Sequence, residues 1–87
     1  MAEESLLQFP CELPIKVLGR NDQSFRSEAT RIVRSHVGTL DDGRVSEQQS
    51  RNQSYLSLTF LILAESREHV DSLYRDLTAS DEIMMVF

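Results

Sequence analysis

The chain has 87 residues, of which 40% are hydrophobic, and its fourteen acidic and nine basic residues give a net charge of −5. This length suits one domain with a small core. The acidic balance disfavours nucleic-acid binding, because affinity for phosphate backbones comes from clustered cations. A single cysteine, Cys11, excludes an intrachain disulfide and any metal cluster built from several cysteines.

The first residues do not resemble a targeting segment. Glu3 and Glu4 stand where a secretory signal peptide carries positive charge, and no long apolar segment follows. The longest apolar-rich stretch, residues 56–64, is far shorter than the roughly 20 residues that span a bilayer. We therefore expect a cytoplasmic protein that does not bind membranes.

The beginning of the chain is predicted to be an extension over residues 1–11, followed by a single domain over residues 12–87. A first strand is predicted over residues 13–18, where apolar side chains recur at every second position. Gly19 ends this strand, and residues 20–22 form a turn that leads to a helix cap.

The first helix is indicated by apolar side chains at helical spacing. One face carries Phe25, Ala29, Ile32 and Val33 at i, i+4, i+7 and i+8, and His36 closes this face at i+11. Arg26, Arg31 and Arg34 lie on the opposite face of this helix. Gly38 is a natural helix end, and residues 41–43 carry a turn pattern.

The second half of the chain repeats the alternation of strand and helix. Residues 45–49 are polar and predict an edge strand, whereas residues 55–64 alternate apolar side chains and predict a central one. Ser66 is the predicted N-cap of a second helix, whose buried stripe consists of Val70, Leu73, Tyr74 and Leu77. Residues 83–87 form the last strand.

The order of elements is thus β-α-β-β-α-β, which predicts an α+β, ferredoxin-like fold. Right-handed crossovers give this order a four-stranded antiparallel sheet with two helices on one face. Strands one and three are central, strands two and four are edges, and the second face of the sheet is left uncovered.

Short groups of residues in a particular order connect this sequence to a known family. They are Phe9-Pro10, Lys16-Val17-Leu18-Gly19, Ile32-Val33 with His36, Tyr55, Ser57, Ala64, Val70, Leu73-Tyr74, Leu77, Asp81 and Met85-Val86-Phe87. In these features the chain resembles the YbeD-like family of small bacterial proteins. It departs from the family at Leu18, where methionine is expected, and in the polar residues 43–54.

The resemblance implies a fold similar to ACT-like regulatory domains, which often bind amino acids. One label for the family associates it with regulation of lipoate metabolism. The family supplies no catalytic residues that can be carried over to this chain.

A first candidate site is the turn after the first strand, with Gly19, Arg20 and Asn21 as predicted ligand-binding residues. In ACT-like domains this loop commonly contacts the ligand. Glycine permits close backbone approach, and N–H groups at a helix start favour an anion. The alternative is an ordinary strand end and helix cap, and Asp22 would repel an anion.

A second candidate site is the uncovered face of the sheet, with Tyr55, Leu61 and Leu63 as predicted interface residues. Other side chains expected on this face are Lys16, Leu18, Met84 and Val86. An apolar cluster of this kind indicates a dimer or a partner-binding surface. The alternative is that residues 1–11 fold back over it through Leu6, Leu7 and Phe9.

Catalytic and metal chemistry have little support in the sequence. His36 and His69 are isolated, and Cys11 lacks a neighbouring base that would activate its thiol. An acylphosphatase-like site would use an arginine and an asparagine, which Arg20 and Asn21 offer, but no glycine-rich cradle surrounds them.

We therefore predict a protein that is not an enzyme and needs no cofactor. It is expected to be a regulatory domain that binds a small metabolite such as an amino acid, a protein partner, or both, and to form a homodimer. The alternative is an adaptor that binds only proteins, through the uncovered sheet face.

Overall fold

The computed structural model describes residues 8–87, and the elements follow the predicted order. They are β1 (Cys11–Arg20), α1 (Gln23–Val37), β2 (Val45–Gln49), β3 (Tyr55–Ala64), α2 (Arg67–Ala79) and β4 (Ile83–Val86), with a short 3₁₀ turn at Asp42–Arg44 before β2. The strands lie in the order β2-β3-β1-β4 and pair antiparallel. This confirms the ferredoxin-like α+β fold.

Strand β1 is longer than its sequence pattern predicts. It pairs with β3 along its full length, from Cys11 opposite Ala64 to Arg20 opposite Tyr55. Pairing with a long neighbour extends the strand over residues that have no strand preference of their own, such as Gly19. Of the predicted N-terminal extension, residues 1–7 lie outside the described part of the chain.

The core lies between the sheet and the two helices. Its members are at most 8% exposed and are Ile15, Val17, Phe25, Ala29, Ile32, Val33, Leu56, Leu58, Phe60, Ile62, Leu73, Leu77 and Ile83. The predicted alternation in β1 and β3 and the apolar stripe of α1 supply most of them. Each fully buried Val, Leu, Ile or Phe side chain contributes about 1.5–3 kcal/mol to the stability of the fold, because its apolar surface is removed from water.

The helix ends have the caps that their sequences indicate. The Asp22 carboxylate accepts a hydrogen bond from the Phe25 N–H at 2.8 Å, and the Ser66 hydroxyl accepts one from the His69 N–H at 3.1 Å. Gly38 ends α1 with φ of +82°, a conformation that glycine adopts without steric cost. The predicted cap at Ser66 and the predicted helix end at Gly38 are confirmed.

A second glycine is required by packing. A Cβ atom on Gly19 would overlap the ring of Phe25, and Phe25 itself is fully buried. The missing side chain therefore lets the first turn of α1 pack directly against β1. This is a structural reason for glycine at the position that the sequence assigned to a ligand site.

An irregular register in β4 corrects one expectation about the uncovered face. Val86 pairs with Val17 and Met85 with Leu18, but the next pair joins Ile83 to Gly19, so β4 carries an extra residue there. Val86 consequently packs against the core, and its expected place on the uncovered face is wrong. Met85 lies on that face instead.

Within residues 8–87, neither α1 nor α2 has the length and apolar character needed to cross a membrane.

Candidate functional site

One face of the sheet, here called the open face, carries no helix within the described part of the chain. Alternation along the strands assigns to it Glu12, Pro14, Lys16, Leu18, Arg20, Tyr55, Ser57, Thr59, Leu61, Leu63 and Met85, and the backbone pairing of Phe87 with Lys16 adds Phe87. Among these, four large apolar side chains are strongly exposed, namely Tyr55 (39%), Leu63 (49%), Met85 (52%) and Phe87 (54%). The open face is therefore the main apolar surface that α1 and α2 leave uncovered.

The predicted interface residues lie on the open face but do not form one cluster. Leu61 and Leu63 pair with Pro14 and Glu12 near the start of β1, whereas Tyr55 pairs with Arg20 at its end. Eight residues at about 3.3 Å each separate Tyr55 from Leu63 by roughly 26 Å along β3. An interface that includes all three must cover the full length of the sheet.

At the Leu63 end of the open face, the charge of Glu12 is compensated. An Nη2 group of Arg44 donates to Glu12 Oε2 at 2.7 Å, and Nη1 donates to the Leu61 carbonyl oxygen at 3.4 Å. The Arg44 side chain thus runs along this edge of the sheet beside Leu61. Leu61 is half-buried, as expected for a side chain beside that of Arg44.

At the other end of the open face, two cations stand among aromatic rings. Lys16 Nζ lies 5.7 Å from the centre of the Phe87 ring, within range of a cation–π contact. Arg20 lies opposite Tyr55 on the neighbouring strand. Within residues 8–87, neither Lys16 nor Arg20 takes part in an ion pair.

A cleft of about 260 Å³ crosses this cationic half of the sheet. It is bordered by Lys16, Leu18, Gln48, Tyr55, Ser57 and Phe87. Leu18 and Ser57 are half-buried, and the Ser57 hydroxyl is held by a 3.3 Å hydrogen bond that it donates to the Gln48 carbonyl oxygen. Strands β1, β2 and β3 and the residue following β4 contribute to this cleft.

The structure does not bring Gly19, Arg20 and Asn21 to one place. Gly19 is buried against Phe25, and Arg20 lies on the open face. Asn21 is engaged with the loop between β2 and β3, because its N–H donates to the Ser54 carbonyl oxygen at 3.1 Å and Nδ2 to that of Gln53 at 3.0 Å.

The N-terminus of α1 is occupied by the protein's own carboxylate, that of Asp22. An external anion would meet this negative charge at the place where the helix N–H groups would otherwise attract it. Of the three predicted ligand-binding residues, Arg20 alone lies next to the cleft on the open face.

The arginines on the outer surface of α1 are largely neutralised. Arg26 pairs with Glu47 at 2.8 Å and Arg31 with Glu28 at 3.1 Å. Hydrogen bonds from Arg31, together with its positive charge, lower the pKa of Glu28. A wide groove of about 830 Å³ runs along this surface, but Arg34 is the one arginine lining it that makes no ion pair within residues 8–87.

The two histidines, isolated in sequence, meet between the helices. His69 Nε2 donates to the His36 carbonyl oxygen at 2.8 Å, while His69 Nδ1 accepts from the Glu65 N–H at 3.0 Å. His36 Nε2 lies 2.7 Å from Asp76 Oδ2. Sequence reasoning missed this contact, because only the packing of α1 on α2 brings these residues together. Within residues 8–87, no group of three or more potential ligands is arranged to hold a metal ion.

The sequence also matches a family of known proteins. Residues 4–87 fit the family described as "Protein of unknown function (DUF493)". The chain belongs to this family. The match confirms the resemblance to the YbeD-like group of small bacterial proteins.

Relatives in this family occur in several bacteria. The UPF0250 protein NE1487 of Nitrosomonas europaea is 44% identical over 77 residues, which cover 88% of each chain. A UPF0250 protein of Hahella chejuensis is 39% identical over 84 residues, covering 97% of this chain and 92% of the relative. The similarity therefore extends over most of the length of these relatives.

A solved structure has the same fold. The solution structure of protein HP0495 from H. pylori superposes with a TM-score of 0.70 over 93% of this chain and 85% of that one, with 10% sequence identity. At this identity the likeness shows the fold alone.

Proposed function

We propose that this DUF493 protein is a non-enzymatic regulatory or adaptor protein, and that it pairs with a second copy of itself through the open face. The observation that carries the proposal is the exposure of four large apolar side chains on that face, at 39–54% each. A sheet face with this many exposed apolar groups gains free energy when a second surface removes them from water.

The size of the open face is sufficient for a reversible dimer. Four strands about 4.8 Å apart and ten residues rising about 3.3 Å each give roughly 19 by 33 Å, or at most about 600 Å² per copy. Two copies then bury at most about 1,200 Å², which is the lower end of the range for specific protein interfaces.

The charges on the open face favour one orientation of the second copy. Glu12 and Arg20 lie at opposite ends of β1. A two-fold axis between the sheets and perpendicular to β1 places Arg20 of each copy over Glu12 of the other, and Tyr55 over Leu63. An axis parallel to β1 instead brings like charges together, which is unfavourable. We therefore propose the first arrangement.

The test is the concentration dependence of molecular mass in sedimentation equilibrium. The wild-type chain is expected to shift from monomer to dimer with rising concentration, and Leu63→Asp to remain monomeric. Because Leu63 is 49% exposed, this change should leave the fold intact, as circular dichroism would verify. Thr39→Asp, an exposed change of the same charge outside the open face, is the control and should dimerise normally.

Two results would refute the proposal. One is a wild-type chain that stays monomeric up to millimolar concentration. The other is a Leu63→Asp variant that dimerises as strongly as the wild type, because association would then use a different surface.

A further inference from the structure

We infer that the cleft on the open face binds a small organic anion with a flat, apolar body, and that Lys16 is its main charged contact. This inference deepens the proposed function and rests on it in one respect only, the effect of the ligand on pairing of two copies. Binding to the single chain depends on the cleft alone.

The charge of the cleft comes from the only lysine in the chain. Lys16 borders the cleft, and Arg20 lies four residues further along β1, opposite Tyr55. Among residues 8–87, no acidic side chain lines the cleft. Glu12 is four residues from Lys16 along β1, roughly 13 Å away, and is already paired with Arg44. A carboxylate or phosphate is thus the group that Lys16 attracts.

The shape and lining of the cleft favour a flat apolar body on that anion. The rings of Tyr55 and Phe87 and the Leu18 side chain provide apolar contacts, and Gln48 and Ser57 add hydrogen-bonding groups. A volume of about 260 Å³ fits a molecule with a single ring. A few polar groups among apolar walls are the usual composition of a small-molecule site.

The lining also argues against a free amino acid. An α-ammonium group needs a carboxylate or several carbonyl oxygens nearby, and the charged side chain that lines the cleft within residues 8–87 is the cation of Lys16. The expected ligand is therefore an anion without a second, positive charge. This ligand differs from the amino acid that the resemblance to ACT-like domains implies.

Binding of an anion also bears on the pairing of two copies. Lys16 lies midway between Glu12 and Arg20, so the proposed two-fold axis brings the two Lys16 side chains close together. Two ammonium groups near one axis repel each other and lose hydration on burial. An anion held by each Lys16 removes this repulsion, so the ligand is expected to strengthen the dimer.

Because the chain has one lysine, its side chain can be observed selectively. Reductive methylation with ¹³C-formaldehyde keeps the positive charge and labels Lys16 together with the α-amino group. The probes are benzoate, its uncharged analogue benzamide, and phenylalanine, titrated at constant ionic strength. We expect benzoate to shift the Lys16 signal saturably, and benzamide and phenylalanine to leave it unchanged.

Two variants identify the site of binding. With unmodified protein and ligand-observed NMR, Lys16→Gln should weaken benzoate binding by about tenfold or more, a change of about 1.4 kcal/mol. Arg67→Gln removes the same charge from an exposed position on α2 and should bind benzoate like the wild type. Absence of saturable benzoate binding, equal binding of benzamide, or unchanged affinity of Lys16→Gln would overturn the inference.

Sedimentation with and without benzoate separates this inference from the proposed function. Benzoate binding together with a stronger dimer supports both. Benzoate binding to a chain that never dimerises supports the ligand site and refutes the pairing. A dimer that forms while benzoate fails to bind refutes the ligand site alone.

Discussion

The His69 ring donates a hydrogen bond from Nε2 to the main-chain carbonyl oxygen of His36, at 2.8 Å. This contact joins the first turn of α2 to the last turn of α1. The other ring nitrogen accepts from the Glu65 N–H, so the ring is neutral in this arrangement and carries its proton on Nε2. One side chain thereby satisfies a carbonyl group at the end of one helix and an N–H group before the next.

The first prediction concerns this bridging ring. His69→Ala leaves the Glu65 N–H and the His36 carbonyl oxygen without their partner, and we expect a loss of about 1–2 kcal/mol in the free energy of unfolding. Urea denaturation measures the loss. His36→Ala keeps both main-chain contacts and removes the contact with exposed Asp76 and the packing of a half-buried ring. Because no main-chain group loses its partner, its loss should be smaller than that of His69→Ala. A larger loss for His36→Ala than for His69→Ala would contradict the prediction.

The second prediction concerns the close approach of α1 to β1. Gly19→Ala places a methyl group against the Phe25 ring, and the resulting overpacking should cost about 1–3 kcal/mol in the free energy of unfolding. In the double variant with Phe25→Leu, the smaller side chain leaves room for the methyl group. The added cost of Gly19→Ala should therefore be smaller on that background, and equal costs on both backgrounds would show that the ring is not the cause.

The elements of the fold were predictable because their signals are local. Alternation in β3 and the stripe from Phe25 to Val33 in α1 each arise from one segment that buries one face. The structure gives β2 and β3 the predicted bounds. The position of Val86 was not predictable, because it depends on the bulge between β4 and β1, which arises only when distant residues pair.

The candidate sites were harder to predict, because neighbours in sequence do not share a surface. Gly19 and Arg20 are adjacent, but strand alternation directs one to the core and the other to the open face. Conversely, Lys16 and Phe87 meet although the whole domain separates them in sequence. The residues around Lys16 and Phe87 in the sequence do not indicate that these two side chains meet.

The third prediction concerns acid stability and the ion pair between Glu28 and Arg31. The pKa of Glu28 is lowered from its ordinary value of 4.5, first by hydrogen bonds from Arg31. A carboxyl group that is more acidic in the folded state stabilises the fold above its unfolded pKa, and this stabilisation is lost as the pH falls through the folded pKa. Glu28→Gln should therefore reduce the stability difference between pH 7 and pH 3, measured by urea denaturation. A pH dependence identical to that of the wild type would refute this assignment.

The fourth prediction concerns the orientation of the two copies in the proposed dimer. Arg20→Glu places a second negative charge over Glu12 of the other copy, and the dimer dissociation constant should rise by about tenfold or more. The thermal midpoint of the monomer should change little, because Arg20 is exposed and forms no ion pair within residues 8–87.

Adding Glu12→Arg to this variant restores opposite charges across the interface and should recover part of the lost affinity, although Arg44 then loses its partner. Arg67→Glu makes the same change of charge on α2 and serves as the control for net charge. Sedimentation equilibrium at low ionic strength compares the four chains, because exposed charges are least screened there. A double variant that associates more weakly than Arg20→Glu alone would exclude the orientation that places Arg20 over Glu12, and would favour the rotation about an axis parallel to β1.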